Sequence, residues 1–172
     1  MVSRNKKLLE LRWAYGDFAR ALGCNVYITL ATNLPMVPRD IMVLKLKQTF
    51  LDIEKKLIKR RPGTLRPEQR IEGIMFLEKH EVNPHWHGCI RIPSSKLVST
   101  KLHKDFIRTT VALWDQRTPS GSVRMNPAMD PLDGAYYQTK EIAFRSFEDN
   151  CFLLSQFWPE HQKASSRAGV VA

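Results

Sequence analysis

Two strand-like runs, RIEGIMFLEKH at 70–80 and HWHGCIRIP at 85–93, stand on either side of a short turn-like EVNP. Runs this close pair antiparallel, because a parallel pair needs a crossover of about a dozen residues or more. The chain is therefore committed to a β-hairpin, and the rest must supply further strands or helices to cover it.

A third strand is legible at 25–32, NVYITLAT, where Val26, Ile28 and Leu30 alternate with Tyr27, Thr29 and Ala31; NLPMVP then breaks the pattern. From Ser3 to Leu22 the apolar residues Leu8, Leu11, Tyr15, Phe18 and Leu22 recur at helical steps, with Gly23 as a stop. A second helix is expected over 39–61, carrying Val43, Leu46, Phe50, Ile53 and Leu57 inward and stopped by RPG. Residues 99–117 suit a third, with Leu102, Phe106 and Leu113 inward, and GSVRMNP offers a short strand. DPLDGAYYQTKEIAF then opens a fourth helix, with Asp130 at the N-cap and Pro131 in its first turn. This order predicts an α+β fold, a central antiparallel sheet with helices packed against it.

With 172 residues and 43% hydrophobic content, the chain supports one substantial core. One domain over 1–145 is expected, including the N-terminal helix, with 146–172 as its C-terminal extension and the tail KASSRAGVVA. Lys and Arg total 27 against 17 acidic residues, a net charge of +10, which favours a polyanionic partner and nucleic acid first. Cys24, Cys89 and Cys151 are odd in number and lie in no C-x-x-C arrangement, which fits free thiols in a reducing cytoplasm. The basic N-terminus is interrupted by Glu10, Arg12 and Asp17, and no window approaches a membrane span, so no membrane partner is expected.

His85 and His87 stand two apart on a strand, which puts both imidazoles on one face about 6.5 Å apart along the backbone. If the turn sets His80 opposite His85, Glu78 falls opposite His87, and the four side chains share that face. Glu78, His85 and His87 would then form a metal site with positions left open, and His80 competes as third ligand. The mixed nitrogen and oxygen set suits Mn²⁺ or Mg²⁺ and also admits Zn²⁺. The flanking GCIRIP lacks the downstream glutamate of a cupin, and an H-x-D or H-x-E iron triad is absent.

The other constellation is GAYYQTKE at 134–141. Tyr137 and Lys140 are three apart and share a helix face, whereas Tyr136 lies on the side of Leu132 and Ala143. Tyr137 reads as the functional phenol and Tyr136 as the packing one, with Tyr136 the alternative for the functional role.

Taken in order, VYITLAT, then E-x-H with PHWHGCI, then YQTKE resemble the three motifs of the HUH endonucleases, specifically the replication initiators of rolling-circle plasmids and single-stranded DNA phages and viruses. The resemblance spans residues 25–144. It implies a sheet-centred fold like that of RNA-recognition modules and an enzyme that nicks and rejoins single-stranded DNA at a replication origin, in a bacterial or phage-infected cytoplasm. Carried over, Tyr137 is the nucleophile that joins the 5′ phosphate, Lys140 the motif lysine, and Glu78, His85 and His87 the ligands of a divalent ion. No Walker sequence is present, so no nucleotide cofactor is expected and a separate host helicase is. Arg91, Lys101, Lys104, Arg108 and Arg124 are candidate DNA contacts. The alternatives are a transposase or relaxase of the same superfamily, and a non-catalytic module that binds single-stranded nucleic acid.

Overall fold

The computed structural model describes residues 4–58, 65–78, 82–93, 100–128 and 150–158. Helix α1 (Arg4–Ala21) leads into β1 (Val26–Ala31), α2 (Arg39–Ile58), β2 (Glu72–Glu78), β3 (His85–Arg91), α3 (Thr100–Arg117), β4 (Ser122–Pro127) and β5 (Cys151–Leu153). The strands form one five-stranded sheet in the order β4-β1-β3-β2-β5, and every neighbouring pair is antiparallel. The α+β fold expected from the sequence is the fold found. The expected helix containing Tyr136, Tyr137 and Lys140 lies outside the described residues, as does His80.

Strand parity divides the sheet into two unlike faces. On the back, Val26, Ile28 and Leu30 of β1 meet Trp86 and Ile90 of β3 and Met75 and Leu77 of β2. Met42, Leu46, Phe50 and Ile53 of α2 and Phe106, Leu113 and Trp114 of α3 close over them. Each such side chain contributes about 1.5–3 kcal/mol by leaving water, so this layer supplies most of the stabilisation. On the front, α1 covers only part of the sheet: Tyr15 and Ala19 pack on Ile74, Phe76, Cys89 and Cys24. The Tyr15 ring stands edge-on to Phe76, with centroids 4.8 Å apart.

The helix reaches that position because its end is sharply defined. Gly23 takes φ +70°, its N–H donates to Arg20 O at 2.9 Å, and Cys24 N–H donates to Ala19 O at 3.0 Å. This left-handed exit satisfies the last carbonyls and turns the chain straight into β1.

Two further contacts hold the strands that carry the site. Gly88, paired with Met75, has no room for a side chain: a Cβ there would lie 2.3 Å from Met75 Sδ and 2.4 Å from Ile74 O. At the start of β2, buried Arg70 donates from Nη2 to Glu54 Oε2 at 2.9 Å, and Ile71 N–H donates to Glu54 Oε1 at 3.0 Å. The Arg70 guanidinium lies over the Trp158 ring at 4.5 Å, which ties α2, β2 and the C-terminal segment together.

Strand β5 was not expected from the sequence. CFL is three residues long and pairs only with β2, so it is held by tertiary contact rather than by its own pattern. It makes residues 151–158 part of the domain, with Leu154 and Phe157 joining the back core.

Candidate metal centre

The register of the hairpin fixes which side chains share the front face. Glu78 pairs with His85, and His85 with Ala31; one step along, Phe76 pairs with His87 and His87 with Thr29. The sequence reading set Glu78 opposite His87, so the true pairing is shifted by two residues. A shift of two preserves parity, and the three proposed ligands stay on one face. The shifted register puts Phe76 across from His87, where Tyr15 of α1 covers it, and leaves Glu78 as the last residue of β2.

Glu78 Oε2 lies 3.6 Å from His85 Nε2 and 3.8 Å from His87 Nε2. One ligand atom from each residue falls within 4.8 Å of the others. Metal–ligand bonds of about 2.1 Å hold neighbouring ligand atoms about 3–3.5 Å apart, so a small inward movement of these side chains closes the set on one ion. Only 3% of the Glu78 side chain is exposed, against 12% for His85 and 13% for His87. The carboxylate forms the floor and the imidazoles the rim.

Both Glu78 oxygens are buried and, among the described residues, lack a hydrogen-bond partner. A carboxylate in that position is costly unless a cation or proton donors compensate it. The donor chemistry and a buried carboxylate faced only by two imidazole nitrogens fit a divalent ion.

The rings are held from behind. His85 Nδ1 lies 2.7 Å from Asn83 O, and His87 Nδ1 lies 2.8 Å from Thr29 Oγ1. The Asn83–Pro84 approach to β3 is itself fixed, because Thr32 N–H donates to Pro84 O at 3.1 Å and the Thr32 hydroxyl stands 3.0 Å from the same oxygen. From the back layer, Trp114 Nε1 donates to Ala31 O at 2.8 Å, steadying the β1 residue that flanks His85. Sequence reasoning missed Thr29, Thr32 and Asn83. Parity marked Thr29 as facing away from Ile28 and Leu30, but nothing in the chain showed that β1 would lie beside β3.

The candidate DNA contacts separate into two layers. Arg124 pairs with Thr29 and so shares the front face and the cross-strand row of His87. Arg91 is also on β3 at front-face parity, and its Nη2 donates to Pro67 O at 3.0 Å. Lys101, Lys104 and Arg108 lie on α3, whose buried side packs behind the sheet. The exposed Arg108 pairs with Asp105 at 2.8 Å. Of the five, Arg124 is the exposed cation in the cross-strand row of the candidate metal ligands.

Cys24, Cys89 and Cys151 are free thiols gathered under α1. Burial pushes the Cys151 thiol up to about 12, and the Cys24 contact together with burial raises Cys89 further. They behave as core residues, not as ligands.

Comparison with protein-family models, curated proteins and solved structures finds no match. Among the described residues, no helix is long and apolar enough to cross a membrane.

Proposed function

We propose that this protein is a metal-dependent enzyme that nicks and rejoins single-stranded DNA through a phosphotyrosine intermediate and so initiates rolling-circle replication. The observation that carries the reading is the buried Glu78 carboxylate, without a hydrogen-bond partner among the described residues, facing His85 and His87 on adjacent strands at the middle of an antiparallel sheet. The order of VYITLAT, PHWHGCI and YQTKE along the chain supports it, as does the +10 net charge.

A Mn²⁺ or Mg²⁺ ion held by Glu78, His85 and His87 would supply positive charge against the non-bridging oxygens of a phosphodiester. Each protein group then has a distinct task. Glu78 provides the negative floor that attracts the cation, and the neutral imidazoles present nitrogen lone pairs, three protein ligands leaving coordination positions for a phosphate oxygen. Arg124, on the same face, holds the neighbouring backbone phosphate.

In the proposed reaction, the Tyr137 hydroxyl gives up its proton and its oxygen bonds to phosphorus. The bond from phosphorus to the 3′ oxygen breaks, and that oxygen leaves as a hydroxyl after taking up a proton. Lys140, one helical turn from Tyr137 in the expected helix, steadies the phenolate or the phosphate. Because the phosphotyrosine ester retains the energy of the broken linkage, a 3′ hydroxyl can reverse the attack without ATP.

Labelled single strands of randomised sequence, incubated with the protein and Mn²⁺ and run on a denaturing gel, test this directly. The expected result is a protein-linked band that disappears with chelator and in both His85→Ala and His87→Ala. No band from the wild type, or an undiminished band in both variants, would refute the reading.

A further inference from the structure

The two histidines of the centre are held by chemically different partners. A backbone carbonyl can only accept, so His85 Nδ1 must donate to Asn83 O and carry the hydrogen. In the neutral ring this leaves Nε2 as the lone-pair nitrogen, and Nε2 is the atom facing Glu78. Thr32 fixes the Asn83–Pro84 backbone, so His85 is preset for a cation.

His87 is not preset. Its Nδ1 meets the Thr29 hydroxyl at 2.8 Å, and a hydroxyl both donates and accepts. When Thr29 donates, the single ring proton sits on Nε2 and points toward Glu78 Oε2, 3.8 Å away. When Thr29 accepts, that proton sits on Nδ1 and the Nε2 lone pair faces the same carboxylate. The ring is neutral in both arrangements. Only the second can ligate a cation, while the first puts a partial positive charge against Glu78 when no cation is there.

From this contrast we infer that Thr29 is a positioning residue whose hydroxyl holds the His87 ring in either tautomer and supports the ligating one, accepting from Nδ1–H in the metal-bound state. The inference rests on the metal-centre reading above. Thr29 reaches His87 because β1 and β3 are neighbours and the two residues are register partners, so their side chains stand directly opposite each other on that face. Outer partners of this kind raise metal affinity by fixing the ring and its protonation site.

The test combines metal binding with direct observation of the rings. Mn²⁺ titration calorimetry on wild type, Thr29→Val and Thr29→Ser should show the valine variant about 10- to 100-fold weaker, and the serine variant close to wild type. Long-range ¹H–¹⁵N spectra of the imidazoles, with Zn²⁺ as the diamagnetic probe, should show His85 carrying its proton on Nδ1 both with and without the ion. His87 should gain the Nδ1–H form on binding. Wild-type affinity in Thr29→Val, or a His87 proton that stays on Nε2 with Zn²⁺ bound, would overturn the inference while leaving the metal centre standing. A wild type that binds neither ion overturns both. Valine nearly matches threonine in shape; should that variant fail to fold, the serine variant and the wild-type His87 spectrum still decide.

Discussion

Glu78 and His85 are direct cross-strand partners in the β2–β3 ladder, with Glu78 Oε2 3.6 Å from His85 Nε2 and the carboxylate oxygens without a hydrogen-bond partner among the described residues. Strand pairing therefore places a buried negative charge against an imidazole nitrogen, and the remaining charge is what a cation would neutralise.

Glu78→Gln separates the structural from the metal-binding role of that carboxylate. The substitution keeps the volume and removes the buried charge, so the metal-free variant should unfold at or above the wild-type temperature. Saturating Mn²⁺, at about a hundred times its dissociation constant, should stabilise the wild type by about 2.7 kcal/mol. The same concentration should leave the variant's melting temperature unmoved. Equal metal-induced shifts in the two proteins would show that Glu78 is not a ligand.

Gly88 should tolerate no side chain. The Cβ of Gly88→Ala would meet the Ile74 carbonyl oxygen at 2.4 Å as well as Met75 Sδ, and backbone cannot step aside as a side chain can. The expected cost is about 1–3 kcal/mol in urea unfolding, with weakened Mn²⁺ binding because His87 is its chain neighbour. A variant of wild-type stability would mean that β2 and β3 are not in this register.

The Glu54–Arg70 pair gives a prediction about stability alone. Burial raises the Glu54 pKa, against the opposing hydrogen bond and charge of Arg70. A carboxyl whose folded pKa is raised binds its proton more tightly folded than unfolded, so its contribution to stability falls as pH rises from the ordinary carboxylate value through the raised one. The stability difference between wild type and Glu54→Gln should shift against the wild type over that window. Arg70→Met should cost about 3–5 kcal/mol, because it strands a buried carboxylate. The double variant Glu54→Leu/Arg70→Met should cost less than Arg70→Met, as urea unfolding would show; a larger cost would argue against an ion pair at this position.

Much of this architecture was legible from periodicity, and the limits have physical causes. Strand β1 alternates between a buried core face and a partly open one, so its residues could be assigned to faces at sight. Strand β2 is buried on both faces along its whole length, which removes the alternation that would have fixed its register. The sequence therefore placed Glu78, His85 and His87 on one face but paired Glu78 with the wrong histidine. Thr29 and Arg124 became part of the site only through the β4-β1-β3 order, which depends on long-range pairing and leaves no local trace. Strand β5 is too short to signal itself, and α1 reads as an amphipathic helix without revealing that it covers the front face beside the metal centre.

In the proposed reaction Tyr137 attacks a phosphate at a centre built from Glu78, His85 and His87. The most direct measurement is mass spectrometry of the protein after incubation with single-stranded DNA and Mn²⁺, nuclease trimming and peptide digestion. A nucleotide covalently attached to Tyr137, formed only with the metal present and lost in Tyr137→Phe, is the predicted result. Attachment at Tyr136 would reassign the nucleophile, and wild-type protein that binds the DNA and Mn²⁺ yet carries no nucleotide on any tyrosine would contradict the account.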